Sequence, residues 1–174
     1  MPLLDECDTL AARIGAINTI VNRKGRLVGY NTDAPGMLHA LAECPGSPFE
    51  SRGKESVVLG TGGAARAAAV ALINDGALSV SILGRDNAHL NALLQHLRSL
   101  ARQTQIGGAL FGSPDAKAYL QMANLVVNAT SVGLKSNDDR LLIDVSLLPE
   151  GSIVMDMVFN AGLTPLLQAA RAHG

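Results

Sequence analysis

Apolar and polar positions follow two rhythms along the chain. Before residue 44 the apolar segments are short. Residues 3–13 predict a short helix, "AINTIVN" (16–22) a strand rich in β-branched residues, and "RLVGYN" (26–31) a second strand across the turn "NRKG". These two strands predict a hairpin. "DAPGMLHALAE" then predicts a helix ending near Cys44, with Pro35 in its first turn and Asp33 placed to cap it. The stretch "CPGSPFESRGKE" (44–55) carries two prolines and two glycines and breaks both periodicities, so a boundary is expected between residues 1–44 and 45–174.

Beyond that boundary, continuous apolar runs are separated by helical segments. "SVVLG", "LSVSILG", "IGGALFG", "LVVNAT" and "SIVMDMVF" predict strands, and "GAARAAAVALINDG", residues 87–102 and "TPLLQAARAHG" predict helices. Strands that are apolar throughout, rather than at alternate positions, belong to a parallel sheet covered on both faces. The expected fold is α/β: a doubly wound, mostly parallel Rossmann-like sheet preceded by a hairpin and a helix.

Composition narrows the partners. With 174 residues, 48% apolar and 17% charged, the chain can bury one core. Fourteen Lys and Arg against fifteen Asp and Glu, with no basic run, argue for a small-molecule partner and against nucleic acid or a membrane. Cys7 and Cys44 are too few for a disulfide framework, and no Cys/His spacing suits a metal, so none is expected. "MPLLDECDTL" is acidic where a signal peptide is basic, and no apolar run reaches the roughly 18 residues needed to span a bilayer. A cytoplasmic location is therefore expected.

The candidate chemistry begins at "VVLGTGGAARAAAVAL", where Gly60, Gly62 and Ala65 fall in the spacing G-x-G-x-x-A between an apolar strand and an alanine-rich helix. The first glycine allows the tight turn, the second lets a pyrophosphate approach the backbone, and the small third residue lets helix and strand pack closely. The alternative is a glycine turn that binds no nucleotide. At the end of the next strand, "SILGRDNAHL" offers Arg85, whose planar fork suits a 2′-phosphate and hence NADP, and Asp86, whose carboxylate suits the ribose hydroxyls of NAD. Arg85 has the alternative of a solvated strand-end charge, Asp33 that of a helix cap and Asn18 that of a strand-edge amide. His39, His89, His96 and His173 have no partner at catalytic spacing and are read as surface or interface residues. Ser131 has no nucleophile-elbow context.

The order of "GAINTIV", "GYNTD", "GTGGAARA", "GR", "NATSVGL" and "DMVFNAGLTPLL" resembles the shikimate and quinate dehydrogenase family. The resemblance implies reversible, NADPH-dependent reduction of 3-dehydroshikimate to shikimate in aromatic amino acid biosynthesis. It implies that Asn18 bonds the substrate's ring hydroxyls and that Asp33 binds the hydroxyl being oxidised, as half of a lysine/aspartate pair. Phe159 stands where the family has a substrate-side tyrosine. Gly60, Thr61, Gly62, Gly63, Ala64, Arg85 and Asp86 would hold the cofactor, with Asn128, Ala129, Thr130 and Met157 along the cleft. The Ser-x-Ser motif and catalytic-lysine segment of the family are not in this sequence, and none of Lys24, Lys54, Lys117 and Lys135 matches that lysine. A chain cut back at both ends, with impaired activity, is the resulting expectation. Hairpin edges left unpaired would favour a homo-oligomer. The alternatives are an NAD-dependent quinate dehydrogenase, a nucleotide-binding module without turnover, and a structural fragment.

Overall fold

The computed structural model describes residues 3–135, 138–159 and 162–174. The first elements form a small sheet. Strand β2 (Thr19–Arg23) pairs antiparallel with β3 (Arg26–Tyr30), and the turn between them places Lys24 and Gly25 at positive φ, 54° and 92°. Two successive left-handed residues match the twist of a tight hairpin, and the Asn22 side chain accepts the Gly25 amide at 2.8 Å.

The expected helix over 3–13 divides in two. Glu6–Cys7 forms β1, parallel to β3, and helix α1 spans only Thr9–Ile14. Asp8 decides this, because its carboxylate accepts the Leu10 and Ala11 amides at 2.9 and 3.4 Å and so starts the helix after itself. The residues before it satisfy the outer edge of β3, with Asp5 accepting the Leu27 amide at 2.7 Å. One edge of the hairpin is thus paired, contrary to expectation, and the sheet has the order β1-β3-β2.

Helix α2 (Asp33–Ala42) leads through the irregular segment 43–54 into the main sheet. Its strands β4 (Glu55–Leu59), β5 (Ser79–Gly84), β6 (Gln105–Leu110), β7 (Leu125–Asn128) and β8 (Ile153–Asp156) are all parallel, in the order β6-β5-β4-β7-β8. Crossovers run through α3 (Gly63–Asp75), α4 (Asn87–Leu100) and α5 (Pro114–Met122), and α6 (Pro165–His173) follows β8. The sequence reading did not include α5. Ser113 caps it, accepting the Ala116 amide at 3.2 Å, and Pro114 opens it.

The period of two in the strands sorts the core into two layers. Val58, Val80, Ile82, Leu125 and Val127 face α3 and α4, whereas Val57, Leu59, Leu83 and Val126 face Ala116 and Leu120 of α5 and Leu166 of α6. The first layer also takes in Ile14 of α1 and Ala34, Met37 and Leu41 of α2, so the early elements share the core of the sheet. Among the described residues no helix is long and apolar enough to cross a membrane, and no group of three or more His, Cys, Asp and Glu could hold a metal.

Helix α4 shows the expected amphipathic spacing, with Leu90, Leu93, Leu94 and Leu97 buried. Leu93 has no exposed surface. Leu93→Ala should lower stability by about 3 kcal/mol, read from urea unfolding midpoints. Truncating the exposed Leu78 to Ala should change it by less than about 0.5 kcal/mol.

Candidate functional site

Strand β4 delivers the chain into the glycine turn at the carboxyl end of the sheet. Gly60 has φ +111°, and its amide donates to the Leu83 carbonyl at 2.8 Å. A Cβ there would lie 2.9 Å from the Ala129 carbonyl oxygen, so the position demands glycine for both conformation and space. Gly62 differs, since a Cβ on it would meet nothing within 4 Å. It precedes α3, and no side chain caps that helix. The amides of the first turn of α3 therefore face open space, an arrangement suited to an anion.

The turn opens into a cavity of about 460 Å³ at the carboxyl ends of β4, β5 and β7. Gly60, Thr61, Gly62, Arg85, Asp86, Ala129 and Thr130, all singled out in the sequence, line it. A larger cavity of about 570 Å³ lies beside Pro48, Phe49 and Lys54 at the opposite ends of the strands. Open α/β sheets bind ligands at the carboxyl ends, where the strand order reverses, and here the reversal falls between β4 and β7. The smaller cavity is the candidate site.

Sequence reasoning missed part of its wall. His89, Phe111 and Arg140 also line the cavity. His89, read as a surface residue, is tied to Asp86: the Asp86 Oδ1 accepts the His89 amide at 2.9 Å and lies 2.8 Å from the His89 Nδ1. Asp86 is thereby the cap of α4. The His89 backbone amide, followed by the His89 ring, holds its carboxyl below the usual carboxylate range. Arg85, exposed in the same wall, has no ion pair among the described residues. Arg140 is committed, since its Nε and terminal nitrogen donate to both Asp138 oxygens at 2.7 and 2.8 Å and hold that carboxyl well below the usual range. The i,i+3 spacing of Asp86 and His89 was the signal available for the pair.

Gly63, Ala64, Asn128 and Met157 are not part of the cavity lining. Asn128 is buried and uses its whole side chain inside the protein. Its Oδ1 accepts the Thr130 amide and hydroxyl at 3.0 and 2.8 Å, and its Nδ2 donates to the Val132 carbonyl and the Asp156 Oδ1 at 3.2 and 3.0 Å. Asp156 in turn accepts the Thr164 hydroxyl at 2.7 Å. Asn128 thus shapes the loop that carries Ala129 and Thr130.

Asn18 and Asp33 are brought together beside α2. The Asn18 Oδ1 accepts the Thr32 amide and hydroxyl and the Thr19 hydroxyl at 3.0, 3.2 and 3.0 Å, which leaves its Nδ2 as the end available to a ligand. Asp33 does not cap α2. Asn31, two residues earlier, does so by accepting the Asp33 and Ala34 amides at 3.1 and 3.2 Å, while its Nδ2 donates to the Ala16 carbonyl. The Asp33 carboxyl, freed from that duty, makes no hydrogen bond or ion pair with any described residue. Ala16 also lies against the glycine turn, 3.5 Å from where a Cβ of Gly63 would be. Phe159 is 96% exposed, does not line the cavity, and precedes Asn160 and Ala161, which lie outside the described residues together with that part of "DMVFNAGLTPLL".

No family model matches the chain. The NADP(+) shikimate dehydrogenase of Symbiobacterium thermophilum is 41% identical over 175 residues, covering 100% of this chain and 58% of its own length. Over its whole length the chain is homologous to the shikimate dehydrogenases. A crystal structure of shikimate 5-dehydrogenase from Thermus thermophilus in complex with NADP(H) and shikimate superposes with a TM-score of 0.80 at 35% identity, covering 98% of this chain and 58% of that one. Quinate dehydrogenase from Corynebacterium glutamicum in complex with NAD superposes with a TM-score of 0.80 at 31% identity, covering 99% and 59%. The chain spans about three-fifths of the length of these relatives.

For this shikimate dehydrogenase homologue the two glycines of the turn should respond differently to the same change. Gly60→Ala should cost about 1–3 kcal/mol of stability, and Gly62→Ala less than about 0.5 kcal/mol, both read from thermal unfolding.

Proposed function

We propose that the cleft binds NADP and that the chain serves reversible hydride transfer between this cofactor and the secondary alcohol of shikimate, yielding 3-dehydroshikimate. The observation that carries the reading is the juxtaposition of an uncapped α3 N-terminus, an open Gly62 and an unpaired Arg85 around one cavity. The residues fit the cofactor. Gly60, Thr61, Gly62, Gly63 and Ala64 would take the pyrophosphate, Arg85 the 2′-phosphate, and Ala129, Thr130 and Met157, on the loops that Asn128 shapes, the nicotinamide side. When bound, the cofactor supplies the hydride acceptor.

The chain's own contribution is orientation and the proton. Oxidising a secondary alcohol requires a group that hydrogen-bonds the hydroxyl and helps its proton leave. Asp33, without an internal partner, is available for this, and the Asn18 Nδ2 donates to a neighbouring substrate oxygen. Phe159 adds an apolar side chain near the substrate. On this reading residues 1–44 form the substrate side and 45–174 the cofactor side. The free edge of β2, where Ile20 and Val21 are exposed, is where a second copy would pair. The cytoplasm, where Cys7 and Cys44 stay reduced, is the fitting compartment.

A second reading, NAD-dependent oxidation of quinate, is favoured by the presence of Asp86 in the same wall. Calorimetric titration with NADP and NAD, then nicotinamide absorbance with shikimate and with quinate, separates the readings. NADP should bind more tightly, and Arg85→Gln should weaken NADP about tenfold while leaving NAD nearly unchanged. Asp33→Asn should abolish turnover with cofactor affinity intact. Preferred turnover of quinate with NAD would favour the second reading, binding without turnover would reduce the chain to a nucleotide-binding module, and binding of neither nucleotide would overturn all three.

A further inference from the structure

The face of the main sheet that α5 covers is filled differently at its two ends. Strand alternation puts Glu55, Ser79, Ser81, Gln105 and Gly107 on the same face as Val57, Leu59 and Leu83. Toward the cleft this layer is apolar. At the amino ends of the strands the polar residues instead line a second cavity, of about 240 Å³, together with Tyr119 and Met122 of α5. Its volume is several times the roughly 30 Å³ that one water takes in the liquid. Ser56 also lines it, but alternation turns the Ser56 hydroxyl to the α3 face with Val58.

Gly107 opens this space. It lies inside β6 and its φ is not positive, so its backbone conformation gives no reason for glycine. A Cβ there would fall 2.7 Å from the Tyr119 hydroxyl oxygen and 3.1 Å from the Ser81 Oγ. The missing Cβ therefore lets two hydroxyls converge on one point. Ser81 is only 4% exposed, and neither its hydroxyl nor that of Tyr119 makes a hydrogen bond with a described residue. A buried hydroxyl without a partner costs free energy that a ligand bonding to it would recover. Glu55, half-buried in the same lining, has no ion pair among the described residues, and no Lys, Arg or His lines the cavity.

We propose that this cavity is a binding site for a small organic cation, a primary ammonium group on a short carbon chain. An ammonium presents three donors and no acceptor. The Ser81 Oγ and the Tyr119 hydroxyl oxygen accept two of them, the Glu55 carboxylate takes the third and balances the charge, and Ile106 and Met122 receive the chain. A carboxylate or phosphate would meet an acid and no cation in this lining, and a neutral alcohol would leave Glu55 without a counter-charge. The cavity lies at the strand ends opposite to those that carry Gly60 and Arg85. It is therefore separate from the cleft and stands or falls independently of the nucleotide reading.

The test titrates the whole chain, isotopically labelled for NMR at its backbone amides and methionine methyl groups, with butylamine, butanol and butyrate. These three molecules share a chain and differ in the charge of the head group. At about pH 7 butylamine is protonated, as a lysine side chain is. It should shift the Gly107 amide and Met122 methyl signals saturably, with a dissociation constant about tenfold below that of butanol, and butyrate should leave them unmoved. Ser81→Ala and Tyr119→Phe should each weaken butylamine about fivefold, and Glu55→Gln should remove the preference for amine over alcohol. Both hydroxyl deletions take away a group that has no partner, so neither should lower the thermal unfolding midpoint. No saturable shift with butylamine, equal affinity for butylamine and butanol, or undiminished butylamine affinity in Ser81→Ala and Tyr119→Phe would each overturn the proposal.

Discussion

The burial of α3 between the main sheet and the first two helices is the contact on which the rest of the structure depends. Its alanines at 65, 67–69 and 71 have almost no exposed surface, and these small side chains let the sheet, α1 and α2 approach the same helix. Alanine gives up little conformational freedom when buried, so this packing carries a low ordering cost. The same helix also presents its uncapped N-terminus to the cleft. One element thus fixes both the core and the direction in which free helix amides face the cleft.

Two buried asparagines extend that arrangement to the loops. Asn31 joins the hairpin to α2 by reaching Ala16 on one side and the first turn of α2 on the other, and Asn128 joins the ends of β7 and β8 through Thr130 and Asp156. Each is hydrogen-bonded at both ends of its amide. A buried amide satisfied in this way holds its loop more firmly than apolar contact would, because losing either bond strands a polar group away from water. Beside the first, Asp33 keeps its carboxyl free because Asn31 holds the turn, whereas beside the second Thr130 is itself held through its amide and hydroxyl.

Much of the fold was legible because the strands of a buried parallel sheet leave an apolar signature and because the glycine turn has a steric reason for each of its residues. β1 was not legible, since a two-residue strand exists only through its pairing with β3, which lies some twenty positions along the chain. α5 was hidden by a weak pattern in which only Ala116 and Leu120 are buried. At the site, Asp33 was expected to cap its helix because Asn31, Thr32 and Asp33 are three capping-competent residues in a row, and only the backbone path decides which one serves. His89 was set aside because no partner at catalytic spacing was recognised for it, and the ribose was the role considered for Asp86, three residues earlier. That partner had two roles open to it, and sequence spacing does not rank them.

The strand order has a consequence for assembly. β4 finds β5 across a single short helix, but its other neighbour, β7, pairs Ser56 with Leu125, after two further strands and three helices have intervened. The entropic cost of loop closure falls most heavily on that pairing, and parallel contacts between distant residues are slow to form. Gly60 meets Ala129 only across this junction. The cleft therefore does not exist in any partly formed sheet that lacks β7, and any ligand that fills it would act only on chains in which β4 and β7 have paired.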